Sequence, residues 1–406
     1  MAPSSAWAKA CSVRSEERGR EIERERGRTR DEREKESIRF SWDLHLNPDP
    51  DLPPLSHEHL DLLADQKGLP RDQVTSWTPF PGGAPANVAC AVSTLGKKAA
   101  FVSALGDDAL GDDFLGVLRS KGVDVDSGVQ RVAGAPTRDV YVIYNEQGDR
   151  EFVGFGEGTP TEGFADCFLD ASKLPEALIG SAGALVTGTL GLACPRTAEA
   201  MRRAVGLARG GRVPVVVDVN WRPVFFSEPD SEAPKEEIRG YVLESADVVK
   251  LSDEEAEWLF GVPAAEALRD PGEVLRRLLG GGGGGGEGGE GSGAVAVGVL
   301  VTGGGLGASY SFLSPEGGKS STSGFVPALA VEATDTTGAG DAFLGGFLAA
   351  MLDAGGLAAL RVDAERLRGA VAFAAAAGAA TTMAPGAIAA QPGREAVEAL
   401  LQKSQM

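Results

Sequence analysis

The residues best placed to do chemistry are Asp335-Thr336-Thr337-Gly338-Ala339-Gly340-Asp341-Ala342-Phe343. Two aspartates flank a turn of small residues. Gly338 and Gly340 lack a Cβ, so the chain can turn tightly there and bring backbone N–H groups against a ligand. Behind the turn, Leu344, Phe347, Leu348 and Met351 recur at helical spacing, which predicts a helix starting near Gly340. The first N–H groups of a helix have no partner within it, and its dipole is positive at that end. The turn therefore suits a phosphate or a developing anion. Asp341 at the same end can take the proton of a hydroxyl while N–H groups hold phosphoryl oxygens. A lone aspartate here would be read as a helix cap, because Asp is a preferred capping residue.

The whole string decides against the cap. It matches D-T-x-G-A-G-D at every position, and so resembles the signature of the PfkB-type carbohydrate kinases, the ribokinase and fructokinase family. The resemblance implies that Asp341 is the catalytic base and also touches substrate, and that Gly338, Ala339 and Gly340 form the anion hole. Upstream, Pro81-Gly82-Gly83-Ala84-Pro85-Ala86-Asn87 resembles the family's G-G-x-x-x-N. Gly82 and Gly83 allow close backbone approach to a hydroxylated ligand, and the Asn87 amide can both donate to and accept from sugar hydroxyls. Asp61 stands where the family has a sugar-binding Asp. The family precedes it with an apolar strand ending in Gly-Glu. Here Ser56 and His57 take that place, behind Pro53 and Pro54, which cannot donate to a ladder. The first strand therefore reads as degraded or missing.

The elements that position these residues follow from the patterning. Gly82-Gly83 leads into a predicted helix, Asn87 to Leu95; a strand ending in Gly106-Asp107 and a helix, Gly111 to Leu118, come next. Arg138–Tyr144 and Arg150–Phe155 read as strands joined by Asn145–Asp149. With a strand near Ser76–Phe80 they resemble the family's small β-lid over the sugar, about 74–81 and 132–156. Arg138 either faces the substrate or sits on the lid surface, and the surface is the favoured reading. From there strands and helices alternate, which argues for a parallel α/β sheet. Ala184–Gly188, Val213–Val219, Ala246–Leu251 and Ala294–Thr302 are the strands. The unbroken β-branched run Val213–Val219 is that of a strand covered on both faces.

Sites in such sheets lie beyond the C-terminal strand ends. Asp218-Val219-Asn220-Trp221-Arg222 resembles the family's D-x-N-x-R, which makes Asn220 and Arg222 candidate nucleotide contacts. Ser252-Asp253-Glu254-Glu255 resembles N-x-x-E in the fructokinase-like form with Ser, which gives Glu255 a role on Mg²⁺ through water; helix-dipole complementarity also accounts for an acidic helix start. Thr302, Gly304 and Gly307 resemble the family's T-x-G-x-x-G nucleotide loop.

Composition sets the limits. The chain has 406 residues and a net charge of −19. That argues against nucleic acid or an anionic membrane as partner. The four cysteines form no CxxC pair, which points to a reducing compartment. His57-Glu58-His59 does not have the spacing that puts two histidines on one helix face, so it is not read as a metal site. Residues 1–54 are charged or proline-rich and are expected to be disordered. Gly280–Gly293 reads as an inert flexible insert.

The expected architecture is a ribokinase-like three-layer α/β/α sandwich with a mostly parallel sheet and a β-lid, residues 55–400. The expected reaction is transfer of phosphoryl from ATP to a primary hydroxyl of a small sugar, fructose first, with Mg²⁺ and a monovalent cation, K⁺, beside Asp335. The alternatives are a non-catalytic scaffold of the same fold and a ribose or nucleoside kinase. The resemblance implies a homodimer through the lid. A cytoplasmic location is expected; residues 1–13 make a plastid the alternative.

Overall fold

A computed structural model of the chain describes residues 61–144, 150–156, 159–280, 296–315 and 320–404. The charged extension, the turn Asn145–Asp149 and the glycine tract after Gly280 lie outside the described residues. Among the described residues the central sheet has six strands: β7 (Leu185–Thr187), β8 (Val215–Asp218), β9 (Val248–Ser252), β10 (Gly298–Thr302), β11 (Gly307–Leu313) and β12 (Ser321–Pro327), in the order β12-β11-β10-β9-β8-β7. From β7 to β10 neighbours run parallel; β11 and β12 close one edge antiparallel.

The patterning explains the layers. Val215, Val217 and Val219 pack into one buried cluster and Val216 into another; on β10, Val299 and Val301 divide from Leu300 in the same way. Successive strand residues point to opposite faces, so a strand buried on both reads as a continuous apolar run. Ala84–Thr94, Ala339–Asp353 and Ala364–Thr381 cover one face, and Pro195–Gly210, Glu232–Ser245 and Asp253–Phe260 cover the other. The result is the expected three-layer α/β/α sandwich.

A separate four-stranded sheet forms the lid: β1 (Asp61–Ala64), β2 (Trp77–Phe80), β5 (Val140–Tyr144) and β6 (Arg150–Phe155), in the order β2-β1-β5-β6. The lid is larger than expected because Asp61–Ala64 joins it. Among the described residues β3 (Ser103–Gly106) and β4 (Val129–Val132) pair only with each other.

Between the residues leading into β3 and β7 lies a cavity of about 180 Å³, lined by Val88, Val92, Val102, Val186, Ala204 and Leu348 among others. Side chains from both covering layers and from two strands that are not paired with each other meet there. No strand fills this gap among the described residues. Cys167 and Cys194 are joined as a disulfide. Their 27-residue separation hid the pairing, because the fold brings two short 3-10 segments together. Cys90 is buried, and burial pushes its thiol up to about 12.

Candidate active site

Gly338 adopts φ +71 and takes the N-cap position of the helix Ala339–Asp353. A Cβ there would come within 2.7 Å of Ala387 Cβ, so both conformation and space demand glycine. No aspartate occupies the cap. Asp335 instead builds the loop: Oδ1 accepts from the Thr337 N–H at 2.8 Å, and Oδ2 accepts from the Gly386 N–H at 2.7 Å. Of the three anion-hole candidates, Ala339 already donates its N–H to the Thr336 carbonyl.

Asp341 lies in the first turn of this helix, and its Oδ2 accepts from Asn87 Nδ2 at 2.8 Å. Small residues make that approach possible. A Cβ on Gly345 would sit 2.4 Å from Ala91 Cβ, and one on Gly346 would sit 2.9 Å from Ala374 Cα, so neighbouring helices close tightly on both sides. Gly83, at φ +97, starts the helix that carries Asn87. The Asn87 side chain is buried and its Oδ1 has no partner. Burial pushes the Asp341 carboxyl above the ordinary range; Lys250, the Asn87 amide and Arg222 oppose that shift.

The strand ends supply the floor. Lys250 on β9 reaches both carboxylate oxygens of Asp218 on β8 at 3.0 Å. A Cβ on Gly340 would lie 3.1 Å from Lys250 Nζ, so the ammonium sits directly behind the glycine turn. Burial pushes the Asp218 carboxyl up, to about 7, against the pull of Lys250. Burial acts to lower Lys250, but Asp218, Glu255 and Asp341 together hold it above its ordinary value.

Asn220, two residues past Asp218, is buried with φ +39, a left-handed conformation that Asn tolerates better than most residues. Arg222 donates from Nη1 to the Trp221 carbonyl at 2.7 Å and lies 5.4 Å from the Phe152 ring of the lid.

Glu255 does more than complement a dipole. It forms a capping box with Ser252, and its two oxygens accept from the Ser252 N–H at 2.8 Å and the Trp221 N–H at 2.7 Å. It thus ties the ends of β8 and β9 together. Among the described residues no group of three or more His, Cys, Asp or Glu could hold a metal ion. Each Glu255 oxygen, with one hydrogen bond from a backbone N–H, keeps a second lone pair able to accept from a metal-bound water.

Thr302 is in register with Ser252, and Gly304 (φ +52) and Gly307 (φ +125) close the loop after it. This loop joins the floor through the sheet. Asp61 opens β1, where its Cα pairs with Phe80 and Val140. Gly82 and Gly83 line a cavity of about 290 Å³ with Asn220, Arg138 and Phe225.

The pfkB family carbohydrate kinase profile matches residues 57–283 and 289–394. The chain belongs to this family. Its members are phosphotransferases that act on an alcohol group. "Fructokinase-1" of Zea mays is 32% identical over 346 residues, covering 85% of this chain and 95% of the relative. "Probable fructokinase-6, chloroplastic" of Arabidopsis thaliana is 33% identical over 344 residues, covering 84% and 80%. Fructokinase with bound ATP from Xylella fastidiosa superposes with a TM-score of 0.69 at 28% identity, over 86% of this chain and 96% of that one. Fructokinase from Vibrio cholerae O395 in fructose-, ADP- and calcium-bound form gives 0.65 at 27%, over 84% and 96%.

In this carbohydrate kinase, sequence reasoning missed two features. Lys250 interrupts the apolar run Val248-Val249-Lys250-Leu251, and a charged residue inside a buried strand signals a buried partner. Arg138 is not on the lid surface, because its side chain is only 7% exposed. Among the described residues no helix is long and apolar enough to cross a membrane.

Proposed function

We propose that this carbohydrate kinase transfers the γ-phosphoryl group of ATP to a primary hydroxyl of a small sugar, with fructose the first candidate. The observation that carries the reading is Asp341, held by Asn87 at 2.8 Å beside the Gly338–Gly340 turn at a helix N-terminus. Asp341 takes the proton of the sugar hydroxyl. The sugar oxygen forms a bond to the γ-phosphorus, the bond from that phosphorus to the β–γ bridging oxygen breaks, and ADP leaves.

The N–H groups of Gly338 and Gly340 and the positive helix end hold the charge on the transferred group, backed by Lys250. Mg²⁺, when bound, would neutralise phosphate charge, and Glu255 would hold it through water. Asn220, Arg222, Thr302, Gly304 and Gly307 border the nucleotide. Asp61, Gly82, Gly83 and Asn87 border the sugar. The relatives named fructokinases and the neighbours solved with ATP, or with fructose and ADP, support the reading of a sugar kinase that uses ATP.

Asp341→Asn tests it. The variant keeps the shape and removes the base. We expect an unchanged melting temperature and a kcat lower by roughly 10²–10⁴. Wild-type kcat in a folded Asp341→Asn protein would refute the mechanism.

A further inference from the structure

The segment after Gly386 reaches three parts of the site from behind. The Gly386 N–H holds Asp335, and Ala387 packs against Gly338. Further on, Gln391 is buried, and its Nε2 donates to the backbone carbonyl of Asn87 at 2.7 Å. Arg394 follows: its Nε donates to the Leu95 carbonyl at 3.1 Å and its Nη2 to Asp353 Oδ2 at 2.8 Å. Leu95 caps the helix Ala84–Thr94, which carries Asn87, and Asp353 ends the helix Ala339–Asp353, which carries Asp341. Gln391 and Arg394 thus hold the Asn87 helix near both of its ends, and Arg394 ties it to the Asp341 helix.

Neither partner of the Gln391 bond needs it for the fold. Helix geometry pairs the Asn87 carbonyl with the N–H four residues on. The Gln391 Oε1 is buried and has no hydrogen-bond partner. A buried acceptor left unpaired costs at least as much as a typical hydrogen bond returns. An apolar side chain of the same length would therefore serve the packing at least as well. Only the NH₂ end of the amide can meet a carbonyl, so its orientation is set.

What the bond fixes is position. The Asn87 and Asp341 helices meet where Gly345 faces Ala91. Such small residues let helices close but offer little interdigitation to fix them along their axes. The Asn87–Asp341 hydrogen bond is narrower in the distances and angles it accepts. Gln391 takes hold at the residue that makes that bond.

We propose that Gln391 is a positioning residue for the base: its Nε2–H bond to the Asn87 carbonyl sets where the Asn87 amide holds Asp341. The proposal rests on the sugar-kinase reading and adds to it a residue that acts through Asn87.

The test is Gln391→Met, alone and combined with Asn87→Ala, assayed with fructose and ATP. Methionine is unbranched and similar in length, and it removes both the donor and the unpaired oxygen. The charged groups around Asp341 stay in place: Lys250 and Arg222 act on it directly, and Asp218 and Glu255 act on Lys250. For Gln391→Met we expect the melting temperature to hold or rise. We expect kcat to fall about tenfold, less than the roughly 10²-fold that a 1 Å misplacement costs. The acid limb of kcat/KM should move to higher pH, because a looser Asn87 favours the ionised carboxylate less, and the KM for ATP should hold. In the Asn87→Ala background the same substitution should move neither kcat nor the limb further. A limb that stays in place in the single variant would overturn the proposal, whatever the melting temperature does. An equal loss of kcat with and without Asn87 would overturn it too, since Gln391 would then act by another route. If Gln391→Met does not fold, Gln391→Leu takes its place; failure of both would show a residue that holds the fold, which also overturns the proposal. A wild type inactive on every sugar of a panel would remove the kinase reading and this proposal with it. An active wild type matched by Gln391→Met in kcat and limb would remove this proposal alone.

Discussion

Lys250 Nζ lies 3.0 Å from both carboxylate oxygens of Asp218, and the pair is buried directly behind Gly340. The two residues sit in register on adjacent parallel strands, so the sheet itself fixes their meeting. Breaking a buried pair from one side leaves a charge without a partner, which costs about 3–5 kcal/mol, whereas replacing both partners by neutral groups can be nearly neutral. Lys250→Met should therefore lower stability in urea by about that amount. Adding Asp218→Asn should recover most of the loss while activity stays reduced, because the cation behind the anion hole is gone. A double variant with wild-type kcat would show that the pair is purely structural.

Gly338 offers a sharper separation of strain from space. At φ +71 an alanine costs roughly 1–3 kcal/mol in backbone strain. Its Cβ would also press on Ala387 Cβ, 2.7 Å away. Gly338→Ala should lower the melting temperature and reduce kcat, since the amides of the turn must shift. Ala387→Gly in that background relieves the crowding but not the φ. Stability should then return in part, as calorimetry can show. Full recovery would mean that the left-handed conformation itself carries no cost.

Much of this was legible in the sequence, and the reason differs by element. Val215–Asp218 could be read because burial on both faces gives an unbroken β-branched run. The helix after Gly338 could be read because one glycine turn and one apolar face coincide. β11 and β12 left little signal: β12 alternates serine, threonine and glycine and is mostly exposed. The Cys167–Cys194 and Lys250–Asp218 pairs join residues 27 and 32 apart; Lys250 inside its apolar run announces a buried partner, but nothing local says which residue that partner is. Arg138 read as surface because Arg is rarely buried; what buries it are three phenylalanines brought together from separate segments.

The Arg222 side chain offers a test of how lid and floor communicate. It extends from the β8 end to the Phe152 ring on β6, 5.4 Å away, and its charge helps hold the Asp341 carboxyl down. Arg222→Lys shortens the side chain and loses the flat contact with the ring. We expect the KM for ATP to rise several-fold with the melting temperature nearly unchanged, since the residue is only half-buried. An unchanged KM would remove Arg222 from the nucleotide's surroundings.

The pH dependence of turnover tests Asp341 and Asn87 together. Burial raises the Asp341 carboxyl; Lys250, Asn87 and Arg222 pull it back. A base must be ionised to accept a proton, so kcat/KM should fall with acid along a limb lying above the ordinary carboxylate range. Asn87→Ala removes one of the groups that favour the ionised form, and the limb should move to still higher pH. The same substitution takes an amide from the sugar side, so the KM for the sugar should rise more than the KM for ATP. The two effects have different origins and different readouts. If Asn87 served the sugar alone, KM would change and the limb would stay where it is. If it served only to hold Asp341, the limb would move while the two KM values kept their ratio. Both changes are expected, because Nδ2 is spent on Asp341 while the buried Oδ1 still lacks a donor. A limb that moves to lower pH would contradict the hydrogen bond's role in holding the base ionised.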